Sequence, residues 1–107
     1  MDINQYEIVL VNLDPTMGSE IQKTRPCVVV SPDELNHHLR TVVVAPMTTK
    51  SRLYPTRVQV KHNKQTGWVV IDQIRTIDKV RIIKVLEKLN ATEIAACKAV
   101  IKETFVD

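Results

Sequence analysis

Arg25 closes a polar stretch, Asp14-Pro15-Thr16-Met17-Gly18-Ser19-Glu20-Ile21-Gln22-Lys23-Thr24-Arg25-Pro26, that leaves one apolar run and enters the next. Pro26 biases the residue before it away from helix, so Arg25 is expected extended at a strand mouth. A guanidinium fixed beside a hydroxyl- and glycine-bearing loop suits a phosphate or a carboxylate. Thr48, Asp72 and Gln73 add a hydroxyl, a carboxylate and an amide. Together these groups fit cleavage of RNA through its own 2′-hydroxyl. That reaction needs a proton taken from O2′, a proton given to O5′ and charge stabilised on phosphorus. Asp72 is the candidate base, Arg25 the electrostatic clamp, and Thr48 and Gln73 the hydrogen-bond donors. Arginine is a poor base, since its pKa exceeds about 12. The competing readings are plain ones: a solvated surface arginine, and a strand-end Asp72 that pairs with Arg75.

The elements that must position these groups are short and β-branched. Glu7–Val11, Cys27–Val30, Thr41–Ala45, Thr56–Val60 and Trp68–Ile71 read as five strands, divided by turn residues. Such a pattern predicts a mainly β fold, a small barrel or strongly bent sheet. His62-Asn63-Lys64-Gln65-Thr66-Gly67 reads as a hairpin loop. Ser31-Pro32-Asp33-Glu34 opens a short helix near 32–38, with Ser31 as its N-cap. Asn90-Ala91-Thr92-Glu93 opens a carboxy-terminal helix whose apolar stripe is Ile94, Cys97, Ile101 and Phe105. Lys79 to Leu89 fits a strand or a helix.

If successive strands are antiparallel neighbours, the 14–24 loop, the 46–55 loop and the end of the fifth strand share one rim. Arg25, Thr48, Asp72 and the Gly18-Ser19-Glu20 turn then converge. The same topology puts His37, His38 and His62 at the opposite rim, away from the chemistry. Thr49, Lys50 and Arg52, with Arg57 further on, follow Thr48 and are candidates for holding flanking phosphates, against a default of solvated loop.

Composition sets the bounds. The 107 residues are read as a single domain, 1–107, with a net charge of +3. A mild positive charge favours polyanions without identifying one. Aromatic residues are only 4%, which argues against a platform of several exposed base-stacking rings. Cys27 and Cys97 lack CxxC or histidine company and read as buried small hydrophobes in a reducing cytoplasm, with no metal site expected. No apolar run approaches bilayer length, so a soluble cytoplasmic protein is expected.

Leu13-Asp14-Pro15-Thr16, Gly18-Ser19-Glu20, Thr24-Arg25-Pro26, Val30-Ser31-Pro32, Pro46-Met47-Thr48-Thr49 and Asp72-Gln73-Ile74-Arg75-Thr76-Ile77-Asp78, in that order, resemble the MazF/PemK/Kid toxins. The resemblance implies an SH3-like barrel of the CcdB/PemK/MazF type and a homodimer. It implies a metal-independent, cofactor-free endoribonuclease of a type II toxin–antitoxin system, cutting single-stranded RNA to a 2′,3′-cyclic phosphate and a 5′-hydroxyl. The implied partner is an acidic, partly disordered antitoxin. By motif, Arg25 and Thr48 match the family's principal catalytic pair, and Glu20 a glutamate needed for full activity. Ser19 and Gln73 match RNA-contacting positions, and Asp72 the base proposed in the Kid branch. There an arginine lies two residues before that aspartate; here Val70 does. Two other classes fit the same architecture: a non-catalytic toxin that binds a protein target such as gyrase, and a nucleic-acid-binding regulator.

Overall fold

Alternating β-branched residues bury two faces of one sheet. The computed structural model describes residues 2–12, 24–50 and 54–106. Its strands are β1 (Glu7–Asn12), β2 (Thr24–Val29), β3 (Thr41–Thr48), β4 (Arg57–His62), β5 (Gln65–Val70), β6 (Arg75–Asp78) and β7 (Ile82–Lys88). The helices are α1 (Asp33–Asn36) and α2 (Ala91–Ile101). The sheet runs β4-β5-β3-β2-β1-β7, with β6 pairing on β3. It is a curled, mainly β half-barrel with a carboxy-terminal helix, as the strand pattern implies.

Ile8, Val28, Ala45, Met47, Val58, Val60 and Val69 form one buried cluster, closed by Leu89 and by Cys97 of α2. Their sequence neighbours Val9, Cys27, Val29 and Val44 join Val11, Val42, Ile77 and Ile82 in a second. Fully burying one such aliphatic side chain contributes about 1.5–3 kcal/mol. A one-residue slip would exchange the two faces, so the register is strongly specified.

That register departs from the expected neighbour order. β3 does not pair with β4. Its first half pairs with β6 (Thr41↔Asp78 to Val44↔Arg75) and its end with β5 (Met47↔Val69, Thr48↔Trp68). β5, the 3₁₀ turn Ile71–Gln73 and β6 are therefore one run along a single edge of β3.

Lys79 to Leu89 resolves into a 3₁₀ turn, Lys79–Arg81, and then β7. Its broken alternation has a cause: the pairing with β1 jumps from Ile82 to Lys84 and from Val85 to Glu87. Each jump leaves one extra residue on β7, the mark of a bulge.

Two helix details differ from expectation. Pro32, not Ser31, occupies the N-cap position of α1, and no side chain caps that helix. Ser31 instead accepts from Val43 N (3.0 Å), while Asn36 Nδ2 donates to the Ser31 carbonyl (2.7 Å). α2 keeps its capping box, with Glu93 N on Asn90 Oδ1 at 2.8 Å and Asn90 N on Glu93 Oε1 at 3.0 Å. Phe105, however, leaves the apolar stripe and is 52% exposed. The chain winds as a π-helix over Lys102–Val106, which carries Phe105 out of phase with Cys97 and Ile101.

Candidate active site

β2 and β3 bring the first two groups together. Their ladder pairs Cys27 with Pro46, and the same register continued by two residues sets Arg25 opposite Thr48. Thr48 in turn pairs with Trp68 of β5. β5 returns to β4 through a two-residue turn, Asn63-Lys64, whose φ values of 53° and 62° are those of a type I′ hairpin. The tip of that hairpin therefore reaches the rim that carries Arg25 and Thr48.

A cavity of about 390 Å³ opens there. Arg25 and Pro26 of β2 and Met47, Thr48, Thr49 and Lys50 at and just after the end of β3 line one side, and His62, Gln65, Thr66 and Gly67 of the neighbouring β4–β5 hairpin the other. Among the described residues that line it there is no carboxylate. The Thr48 hydroxyl sits 3.2 Å from Lys50 N, which donates to it, and 3.2 Å from the Lys50 carbonyl. Among the described residues, nothing hydrogen-bonds to or ion-pairs with the Arg25 guanidinium, which stands exposed on a strand whose next residues are buried. An exposed cation and a fixed hydroxyl on one wall can hold a phosphate oxygen between them.

Cys27 reports the field beneath this wall. Burial pushes its thiol up to about 12, while the Arg25 and Arg75 guanidiniums pull it down. Arg75 thus acts on the same neighbourhood from β6.

The remaining candidates separate. Asp72 and Gln73 do not line the cavity; they lie in the turn after β5. Because β5 runs antiparallel to β3, its start meets the end of β3, and the turn after it falls beside the middle of that strand. Asp72 Oδ1 accepts from Thr56 Oγ1 at 2.9 Å and lies 3.8 Å from Arg57 Nε. Arg57 in turn stacks 5.0 Å from the centre of the Tyr54 ring. Arg75 is not the partner of Asp72 in this arrangement. Ser19, Glu20 and Arg52 lie outside the described residues.

His62 moves the other way. Expected at the far rim, it lines the cavity, and its Nδ1 is bonded to Glu87 Oε1 of β7. Gln65 and Thr66, read from the sequence only as part of the 62–67 hairpin loop, line the cavity with it. The signal was present in the Asn63-Lys64 turn, but only the β3–β5 pairing tells which rim that turn reaches. His37 and His38 stay on the α1 side, on Asn4 and on the Glu34 carbonyl. Among the described residues, no three His, Cys, Asp or Glu side chains gather as a metal site.

Fold and site together define a small curled-sheet protein with a cationic, hydroxyl-bearing rim. Residues 4–105 match the family described as PemK-like, MazF-like toxin of type II toxin-antitoxin system, and the chain belongs to it. It is 39% identical over 97 residues to Endoribonuclease PemK of Escherichia coli, covering 85% of this chain and 73% of that protein. It is 27% identical to the solved Mycobacterium tuberculosis toxin MazF-mt6, with a TM-score of 0.78 over 94% of this chain and 96% of that one. An endoribonuclease from a mycobacterial species, solved in complex with its cognate antitoxin, shares the fold at 21% identity. Its TM-score is 0.83, over 97% of this chain and 95% of that one.

Proposed function

We propose that this chain is the endoribonuclease toxin of a toxin–antitoxin pair, cutting single-stranded RNA through the 2′-hydroxyl without a metal ion. The observation that carries this reading is the Arg25–Thr48 pair on one wall of the rim cavity. Attack by O2′ builds negative charge on the phosphoryl oxygens, and Arg25 is the group that meets it with two parallel donors. The Thr48 hydroxyl, held by Lys50 N–H, positions the phosphate and passes or accepts a proton at its edge. Lys50 and Thr49 hold flanking phosphates. Glu20, Ser19 and Gln73 keep the roles that the resemblance implies, Arg52 is kept with Lys50 as a holder of flanking phosphate, and Asp72 as base is the assignment its own variant decides.

A long mixed-sequence RNA incubated with the purified protein, with and without EDTA, tests this. Cleavage unchanged by EDTA, with 2′,3′-cyclic phosphate at the new ends, is expected; a requirement for divalent metal or 3′-hydroxyl ends would overturn it. A protein-binding toxin or a non-cleaving regulator would leave the RNA intact.

Two partners go with this reading in the cytoplasm. A second copy covers exposed apolar surface, Phe105 (52%) and Val106 (72%) at the end of the chain and Leu39 (48%) with Val80 (86%). Sedimentation at micromolar concentration is expected to show a dimer, and a monomer would count against it. An acidic, partly disordered antitoxin segment occupies the cationic rim in place of RNA. Its binding is expected to fall when the rim is saturated with uncleavable RNA.

A further inference from the structure

The cavity facing Arg25 and Thr48 has a second wall that the reaction above does not use. Among the described residues His62 is the ionisable group on that wall, and two acidic side chains bond to it and to its strand. Glu87 of β7 takes Nδ1 of the ring. Glu93, at the start of α2, accepts from Lys61 N at 2.9 Å, one residue earlier. The type I′ turn then fixes Gln65 directly across from His62 in the ladder.

We propose that His62, oriented by Glu87, is an RNA-contact residue that selects the nucleotide beside the scissile phosphate. The inference rests on the endoribonuclease reading of the same cavity. A carboxylate on Nδ1 sets the tautomer with the proton on that nitrogen, which leaves Nε2 as an acceptor in the neutral ring. An acceptor of fixed direction discriminates among bases, because a base edge that offers an N–H is matched and one that offers a lone pair is rejected. Gln65, with both a donor and an acceptor, shares the wall and is placed to read a second group. Phosphate contacts from Arg25 and Lys50 position the strand; His62 supplies what those cations cannot, a preference among sequences. Glu87 is a positioning residue in this scheme, since it acts through the ring.

The test uses the full-length protein with His62→Ala, His62→Gln, Glu87→Gln and Glu87→Ala. Two readouts are taken: cut-site mapping on a mixed RNA pool, and binding of short labelled RNAs carrying 2′-deoxy substitutions that block cleavage. His62→Ala is expected to raise KM about tenfold and to flatten the preference at one position next to the cut, in line with the loss of one base contact. His62→Gln keeps an acceptor and is expected to restore part of that preference. Glu87→Ala should weaken the preference at the same position, and Glu87→Gln should do so less. Thermal midpoints close to wild type separate these effects from unfolding.

Unchanged cut sites and unchanged RNA binding in His62→Ala would overturn the proposal. So would a loss confined to kcat with the preference intact, which would make His62 a proton-transfer group instead. The binding arm keeps this distinct from the function itself. Wild-type protein that binds RNA selectively but does not cut it would sink the cleavage reading and leave the His62 contact to stand or fall on the variants. Wild-type protein that binds no RNA would sink both.

Discussion

The β4–β5 ribbon carries a polar cluster at each end, and the two treat charge in opposite ways. Where β4 begins and β5 ends, the Asp72 carboxylate accepts from Thr56 and lies against Arg57, which itself covers Tyr54. The two charges described there have each other as counterparts. At the hairpin end, Arg25 and Lys50 line an open cavity that, among the described residues, holds no carboxylate in its lining. A matched cluster holds a turn in place. An unmatched one, exposed on a rigid sheet, is built for a ligand that brings the opposite charge.

Removing Arg25 is the strongest way to break that contrast. Arg25→Ala is expected to lower cleavage by about 10²–10³, the usual cost of deleting a preorganised donor aimed at developing charge. Arg25→Lys should recover little, because an ammonium lacks the planar fork. The fold should survive, and Cys27 gives a local check. Its thiol stays buried and raised, so alkylation in the native state should remain as slow as in wild type. Both thiols carry a pH signature as well. Burial raises Cys27 to about 12 and Cys97 to about 11, from an ordinary value of 9.0. Their contribution to stability is therefore full below about pH 9 and is lost as pH rises through 11 to 12. Denaturant titrations across that alkaline range are expected to show the decline; constant stability would mean that the thiols are reached by solvent.

Thr48 comes next. Thr48→Ala should lose most activity if the hydroxyl takes part, while Thr48→Ser keeps the oxygen and should retain a measurable fraction. Equal rates for Ala and Ser would show that the methyl group, and not the hydroxyl, was what the site needed. Single-turnover kinetics on one defined RNA separates these outcomes from slow product release.

How much of this was legible beforehand follows from which contacts are local. Arg25 beside Thr48 could be read, because β2 and β3 are successive strands and do pair. The strands themselves could be read from runs such as Cys27–Val29 and Val42–Val44, which only a buried sheet accommodates. His62 and Asp72 could not be placed, since both depend on β3 bypassing β4 to pair with β5. Nothing near either residue encodes that choice; it is made by which apolar faces meet, with Val69 joining Met47 in one cluster and Ile77 joining Val44 in the other. β7 was obscured for a different reason, as its two bulges erase the alternation that marks a strand.

Asp72 is the residue on which the comparison turns, and its expected effect is the smallest. Asp72→Asn keeps the shape and an oxygen for the Thr56 hydroxyl but removes the charge facing Arg57. The carboxylate side chain is 37% exposed, so solvent screens the pair and its loss should cost no more than about 1 kcal/mol. Cleavage is expected to stay within about threefold of wild type, because one proton-transfer group is worth about 10²–10⁴ and this carboxylate does not line the cavity. A drop of that larger size, with the melting temperature unchanged, would restore Asp72 as the base and mean that the RNA spans both ends of the ribbon. Pairing Asp72→Asn with Arg57→Gln makes the distinction sharper. If the two charges only serve each other, the double variant should be no less stable than Arg57→Gln alone, which already loses the Tyr54 contact, and fully active.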